Sequence, residues 1–313
     1  MEKQWNFDFG AIQIFIFPLQ KLLHSFMTNT KIMVGFFLFF CCACTQKKEK
    51  ISYPSLPGYN LANPVVIQLK TNLDEISGIT YYPKDTSIFA VDDEEGLLYK
   101  IFIRPKIQVK NWKFSSQGDY EDIVLADSTF YALQSNGNLK SFRFSSKDSF
   151  RLEDCTVPLL GNNEFETAYY DPALQKIILI CKDCEEDERK EISAYAFDPK
   201  DHTFSDQPFF VINADDIGDE LGIDDMKFKP SAAAVHPLTK DLYIISSADK
   251  AIVITDHLGK VKDAYELDPG LFKQPEGITF TPSGDLIISN ESAGAGAPNI
   301  LLFTYKPLLH DKG

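Results

Sequence analysis

The stretch Gln274-Pro275-Glu276-Gly277-Ile278-Thr279-Phe280-Thr281-Pro282-Ser283-Gly284-Asp285-Leu286-Ile287-Ile288-Ser289-Asn290 reads as an acid, a small residue, an apolar run, a turn, a second apolar run and a polar end. Variants of it recur along the chain. Aligned on the acid, the copies begin at Glu75, Glu121, Glu166, Ser231 and Glu276, at intervals of 46, 45, 65 and 45 residues. A period in the forties, with several short strand-like runs in each copy, is the signature of propeller blades.

Each copy holds three strand-like runs joined by turn chemistry such as Tyr82-Pro83-Lys84-Asp85, Ser135-Asn136-Gly137-Asn138 and Thr281-Pro282-Ser283-Gly284. A fourth run precedes the next acid, as in Ile107–Phe114, Phe209–Asn213 and Lys262–Leu267. The last copy lacks a fourth run. Pro64–Leu69, which lies before the first copy, can supply it and close the ring, removing an exposed sheet edge. The expected fold is a single all-β propeller of five blades, each of about four antiparallel strands, over residues 63–307, followed by a tail at 308–313. Six blades is the alternative, if the long third interval hides a degenerate blade. That interval carries a charged insertion, Cys184–Lys190, and an acidic one within Asn213–Phe228 that reads as a short helix or a loop.

The totals narrow the function. A net charge of −14 makes nucleic acid an unsuitable partner, because phosphate binding needs a surplus of Lys and Arg. The same charge serves solubility and is compatible with cationic ligands, divalent metals or basic partners.

The N-terminus reads as an export signal. Ile32–Ala43 is apolar, follows Lys31, and is too short for a comfortable membrane span. Cys44 then precedes a polar tether over residues 45–62. Residues 27–44 resemble a bacterial lipoprotein signal, on which Cys44 is the lipidated residue, with Cys42 the lesser choice because Cys41 stands where Leu is usual. An uncleaved N-terminal anchor is the other reading, and both send the folded part out of the cytoplasm. Residues 1–26 read as an over-extended start or a leader, since Met27 makes the more typical beginning. The expectation is an exported monomer, held to the bacterial membrane through its lipid alone and, in a two-membrane cell, on the outer membrane. Beyond the signal, Cys155, Cys181 and Cys184 remain. Cys181-Lys182-Asp183-Cys184 has metal-ligand spacing without a second pair, so a hairpin disulfide or two free thiols are the readings in its favour.

Glu75-Ile76-Ser77-Gly78-Ile79, Asp119-Tyr120-Glu121-Asp122-Ile123 and Pro275-Glu276-Gly277-Ile278, with Phe89–Glu94 and Ile287–Glu291, resemble the SdiA-regulated (YjiK-like) propeller family over residues 64–306. The resemblance implies an extracytoplasmic bacterial β-propeller, often lipid-anchored, with no firmly assigned activity. The third and fourth copies depart from it: Glu166-Thr167-Ala168 lacks the Gly and Ser231-Ala232-Ala233 lacks the acid.

In a blade the first strand lines the channel and the second returns antiparallel beside it, so the start of one lies near the end of the other. This predicts Glu75 near Asp92 and Asp93, Glu121 near Asn136, Glu166 near Asp183, Ser231 near Asp249, and Glu276 near Asn290 and Glu291, all at one channel mouth, with Asp74, Asp119 and Asp122 added. Carboxylates around one axis take up protons or bind a cation, and oxygen ligands without His or thiolate suit Ca2+ or Mg2+. Acids at strand starts also cap neighbouring backbone N–H groups. Two functions follow. One is a non-enzymatic module that binds a small ligand or an extracytoplasmic protein at the acidic mouth. The other is a calcium-assisted hydrolase of phosphoesterase or lactonase type, with Glu75, Glu121, Glu166 and Glu276 holding metal that activates water. The missing acid in the fourth copy and the lack of a clear general base favour the first. His202, His236, His257 and His310 form no catalytic motif in the sequence. His236 reads as a turn residue at the end away from the mouth.

Overall fold

The computed structural model describes residues 52–307, apart from 71–72, 104–105, 147–148, 158, 160 and 293–295. The leader, the signal with its Cys44, the first part of the tether, the tail and His310 lie outside the described residues. No helix among the described residues is long and apolar enough to cross a membrane.

Among the described residues, twenty-one strands form five antiparallel sheets. The first sheet is β2 (Ile76–Tyr82), β3 (Ser87–Asp92), β4 (Leu97–Phe102) and β5 (Gln108–Lys113); the second is β6 (Tyr120–Ala126), β7 (Thr129–Gln134), β8 (Leu139–Ser146) and β9 (Ser149–Cys155). The third contains β10 (Asn163–Asp171), β11 (Lys176–Cys184) and β12 (Glu191–Asp198), with the two short strands β13 (Thr203–Phe204) and β14 (Phe210–Asn213) both on the outer side of β12. The fourth is β15 (Ala232–Val235), β16 (Leu242–Ser246), β17 (Ala251–Thr255) and β18 (Val261–Glu266). The fifth is β19 (Pro275–Phe280), β20 (Leu286–Asn290) and β21 (Asn299–Phe303); β1 (Val65–Gln68) pairs antiparallel with β21 at its outer edge. The long interval holds no sixth blade. It is filled by the extra strand of the third sheet and by α1 (Ala214–Leu221), capped by Asn213 at its start and by left-handed Gly222 at its end.

The middle strands are largely buried, as their near-continuous apolar runs demand; β3, β16, β17 and β20 are buried at every position. Their alternate faces feed five apolar clusters, one in each seam between neighbouring sheets. Phe89, Phe130 and Phe142 fill the first-to-second seam, and Ile79, Ile287 and Ile300 join the fifth sheet back to the first. The inner strands also bond directly from sheet to sheet: Tyr81 N donates to Thr279 Oγ1 at 3.1 Å, and Ser231 Oγ donates to the Pro275 carbonyl at 2.8 Å.

His236 is a turn residue away from the acidic end, as expected. Its Nδ1 accepts from Thr239 N at 3.0 Å, its Nε2 lies 2.9 Å from the Tyr59 hydroxyl, and burial pushes its pKa down to about 4. His257 is tied to the buried Asp171 at 2.7 Å. Cys181 and Cys184 form a disulfide, and Cys155 is a buried free thiol.

Candidate functional site

Three of the inner strands open with the same irregularity. On β6, Tyr120 pairs with Gln134 and Asp122 with Leu133, so Glu121 has no partner. On β10, Phe165 pairs with Cys181 and Thr167 with Ile180, leaving Glu166 out; on β19, Pro275 pairs with Asn290 and Gly277 with Ser289, leaving Glu276 out. Each glutamate is the extra residue of a β-bulge, a device that re-aims a side chain. On β2, Ile76 pairs with Asp92 and Ile79 with Ala90, so Ser77 and Gly78 together face Val91. Serine holds the bulge place in the first blade. Glu75 sits two residues earlier and is exposed at the rim. At the matching place the fourth blade has Pro230 and Ser231 instead of an acid.

The glutamates converge. Glu276 of the fifth sheet feels the charge of Glu166 of the third, and these sheets are not neighbours, so both carboxyls lie toward the axis. Glu121 feels Glu166 and shares a hydrogen bond with Asp119; Glu291 shares one with Glu75 and feels Glu276 and Asp93. The structure thus brings together Glu75, Asp93, Glu121, Glu166, Glu276 and Glu291.

The second-strand partners differ from expectation by one residue. The bulge consumes one position, and side chains alternate with period 2, so a one-residue shift sends the neighbouring side chain inward. Asp93, Lys182 and Glu291 face the mouth where Asp92, Asp183 and Asn290 were also expected. Asp92 is buried instead and accepts from Glu95 N at 2.7 Å. Asn290 is fully buried and donates to Asn299 Oδ1 at 3.0 Å. Asp183 is turned to solvent, 67% exposed, with Lys229 Nζ 3.3 Å away. In the second blade Ser135 stands near the mouth, donating to Asp119 at 2.5 Å, while Asn136 is exposed and accepts from Asn138 N in its own turn. Asp249 accepts from Ser246 Oγ at 2.6 Å rather than meeting Ser231. Asp122 belongs to the core: wholly buried between the second and third sheets, it accepts from Ile123 N at 2.7 Å and Ala168 N at 2.9 Å. Asp74 is half-buried beside the mouth, and one oxygen each of Asp74 and Asp93 has no donor among the described residues.

Lys182 is the residue the sequence reading missed. Its ammonium meets Glu166, and Glu164 at 2.7 Å, and these carboxylates raise its pKa despite burial. Its neighbours Cys181 and Cys184 are joined around it. Lys250 and the Ser247 hydroxyl reach Glu276 from the fourth blade, which has Ser231 in place of a mouth glutamate, and Gln274 donates to Glu291 at 2.5 Å.

Burial and mutual repulsion hold protons on this ring. Burial, then the charges of Glu166 and Asp119, push Glu121 up to about 9. Burial and Glu166 bring Glu276 to about 7; burial, Glu75 and Glu276 bring Glu291 to about 8; burial and Glu75 bring Asp93 to about 6. Glu166 is also raised, because burial outweighs the help of Lys182. Near neutral pH the mouth is therefore a store of exchangeable protons. Among the described residues, the one trio with metal-ligand spacing is Cys181, Cys184 and Asp187, whose two sulfurs are already joined.

The SdiA-regulated family model matches residues 56–294, from the loop before β1 to the segment after β20. The chain belongs to the SdiA-regulated family. Among solved structures, glutaminyl cyclase from Myxococcus xanthus is similar at 11% identity and a TM-score of 0.53, over 79% of this chain and 97% of that one. A structural-genomics protein of unknown function from Bacteroides thetaiotaomicron is similar at 12% identity and a TM-score of 0.50, over 72% of this chain and 58% of that one. At these identities the likeness speaks for the propeller fold alone. No curated protein matches the chain in sequence. The SdiA-regulated match takes in all six mouth carboxyls.

Proposed function

We propose that this SdiA-regulated propeller is an exported, lipid-anchored binding module that takes a cationic ligand at its carboxylate mouth, without chemistry of its own. The supporting observation is the ring itself: six carboxyls from four blades converge on one axis, where burial and mutual repulsion raise Asp93, Glu121, Glu166, Glu276 and Glu291 above their ordinary values. A ligand bearing positive charge replaces the protons they hold and relieves both repulsion and the unmet acceptors of Asp74 and Asp93. An organic ammonium suits the site better than a bare metal ion, because no three mouth carboxyls among the described residues close to metal-ligand spacing. Lipidation at Cys44 is the anchoring step in this reading and would hold the domain at a bacterial membrane surface through the tether.

The test is calorimetry with a small alkylamine, and separately with calcium, in two buffers of different ionisation heat. Binding of the amine with proton release, lost in the Glu75→Gln/Glu276→Gln double variant, is the expected result. Calcium binding accompanied by metal-dependent ester hydrolysis would replace this reading with the hydrolase, and silence from both titrants would end it.

A further inference from the structure

The chain is acidic, yet one cleft gathers cations. It lies between the second and third sheets, at the end of the disc away from the carboxylate mouth, and encloses 870 Å3. Arg143 of β8, Arg151 of β9, Lys176 at the start of β11 and Lys200 just after β12 all line it. Two of these four are neutralised locally: Lys176 by Asp198 at 2.5 Å and Arg151 by Glu153 at 3.3 Å. Arg143 is held differently. Its Nε and Nη2 both donate to Thr129 Oγ1, at 3.1 and 2.6 Å, so a neutral hydroxyl fixes the guanidinium without cancelling its charge. Neither Arg143 nor Lys200 has a carboxylate within 4.0 Å among the described residues.

A guanidinium oriented in advance, with donors to spare and its charge unspent, is a site for a planar or tetrahedral oxyanion. The rest of the lining restricts what carries that oxyanion. Tyr131 offers a buried hydroxyl, and burial pushes it up to about 12, so it remains a neutral donor. Asp127, Glu153 and Asp198 offer acceptors around the same cleft. Those carboxylates repel a naked polyanion but accept from hydroxyl groups. Donors, acceptors, aromatic edges and a small cationic excess together fit a molecule with one acidic group on a polyhydroxylated body.

We propose that this cleft binds a small acidic saccharide, its carboxylate or phosphate meeting Arg143 and Lys200. This site is separate from the mouth and independent of what the mouth binds.

Calorimetry on the protein with glucuronate, glucose 6-phosphate and glucose tests it. The expected result is binding of at least one of the two acids, with a dissociation constant of about 1 mM or below, and none of glucose. Binding should weaken as salt is raised, as expected of partly exposed charges. Arg143→Ala should weaken it at least tenfold, and Arg143→Lys should restore only part, since a point charge lacks the fork. Both positions are exposed on strand or turn, so folding is not at issue, and Lys200→Ala gives a second reading of the same site. Glu121→Gln in the mouth should leave saccharide binding unchanged. The proposal is overturned if glucose binds as tightly as the acids, if Arg143→Ala and Lys200→Ala both bind like the parent, or if no acid gives heat at about 10 mM. Whichever acid binds more tightly identifies the oxyanion as carboxylate or phosphate.

Discussion

The two halves of the mouth solve one electrostatic problem differently. On the side of the second and third blades, Glu121, Glu164 and Glu166 surround the ammonium of Lys182. On the side of the fifth and first blades, Asp93 and Glu291 meet no such cation among the described residues, and burial with the charge of neighbouring carboxylates pushes them up to about 6 and about 8. The backbones beneath differ as well. At the strand position after the bulge, the first and fifth blades carry Gly78 and Gly277, whereas the second and third carry Asp122 and Thr167. Glycine lets inner strands crowd together. Asp122 instead fills the space and ties β6 to β10 through Ala168 N. One half is thus braced and built around the ammonium of Lys182, although Glu121 there also holds its proton, and the other is close-packed, with raised carboxyls and no such ammonium among the described residues. The contrast teaches that a repeated motif need not give a symmetric site.

The glycine is the sharpest place to break the close-packed half. A Cβ on Gly78 would lie 2.5 Å from the Asp122 Cα, where only backbone movement makes room. Gly78→Ala should cost about 3 kcal/mol, read by urea unfolding, because the clash is with main chain rather than a flexible tip. If its loss were under about 0.5 kcal/mol, the value of an ordinary surface change, the first-to-second seam would be looser than described.

Next in size is the counter-ion of the braced half. Lys182→Met keeps the stem and deletes the charge, leaving Glu164 and Glu166 facing each other. The expected loss is about 2 kcal/mol at neutral pH, less than for a wholly buried pair because the side chain is 22% exposed. Adding Glu166→Gln should recover at least half of it. NMR titration of the same variant should show Glu121 and Glu276 holding their protons to higher pH, since Lys182 lowers both.

The shared protons give a smaller, pH-dependent effect. Folded Glu121, Glu276 and Glu291 keep protons to about 9, 7 and 8, while an unfolded glutamate releases its proton near 4.5. Between those limits the folded state binds more protons, so stability falls as pH rises. The melting temperature should drop by on the order of 5 °C from pH 6 to pH 9. Glu121→Gln and Glu291→Gln should each flatten that slope, one in each half, and each should raise the melting temperature at pH 8. A melting temperature that climbed through this range would mean the ring is ionised and not protonated.

The blade count, the runs of each strand and the gathering of Glu75, Glu121, Glu166 and Glu276 were legible because period and alternation are properties of the sequence itself. The bulges were not. Glu121 and Tyr120 look alike to an alternation count, and only pairing with β7 reveals that one of them is extra. That hidden residue decides whether Asp92 or Asp93, Asp183 or Lys182, faces the axis. The fourth blade shows the other limit: Ser231 marks a missing acid, but nothing in its spacing announces that Ser247 and Lys250 serve Glu276 from the next turn. In hindsight, the acid followed by a small or short polar residue in Glu121-Asp122, Glu166-Thr167 and Glu276-Gly277 is the trace that the bulge leaves.

The smallest expected effect tests that register. Asp183 is adjacent in sequence to Lys182, lies on the same strand and carries the charge the mouth is rich in, so composition alone would place it in the ring. It points outward because the β10–β11 pairing is irregular on both strands, leaving Lys182 as well as Glu166 out of register. Its contact with Lys229 is an exposed ion pair, both side chains well over a third accessible, and such pairs contribute little. Asp183→Asn should therefore change stability by less than about 0.5 kcal/mol and leave the pH slope as it was. Should it flatten the slope as Glu121→Gln does, Asp183 would belong to the mouth and Lys182 would not. The braced half would then lose its counter-ion, and the difference between the two halves would disappear with it.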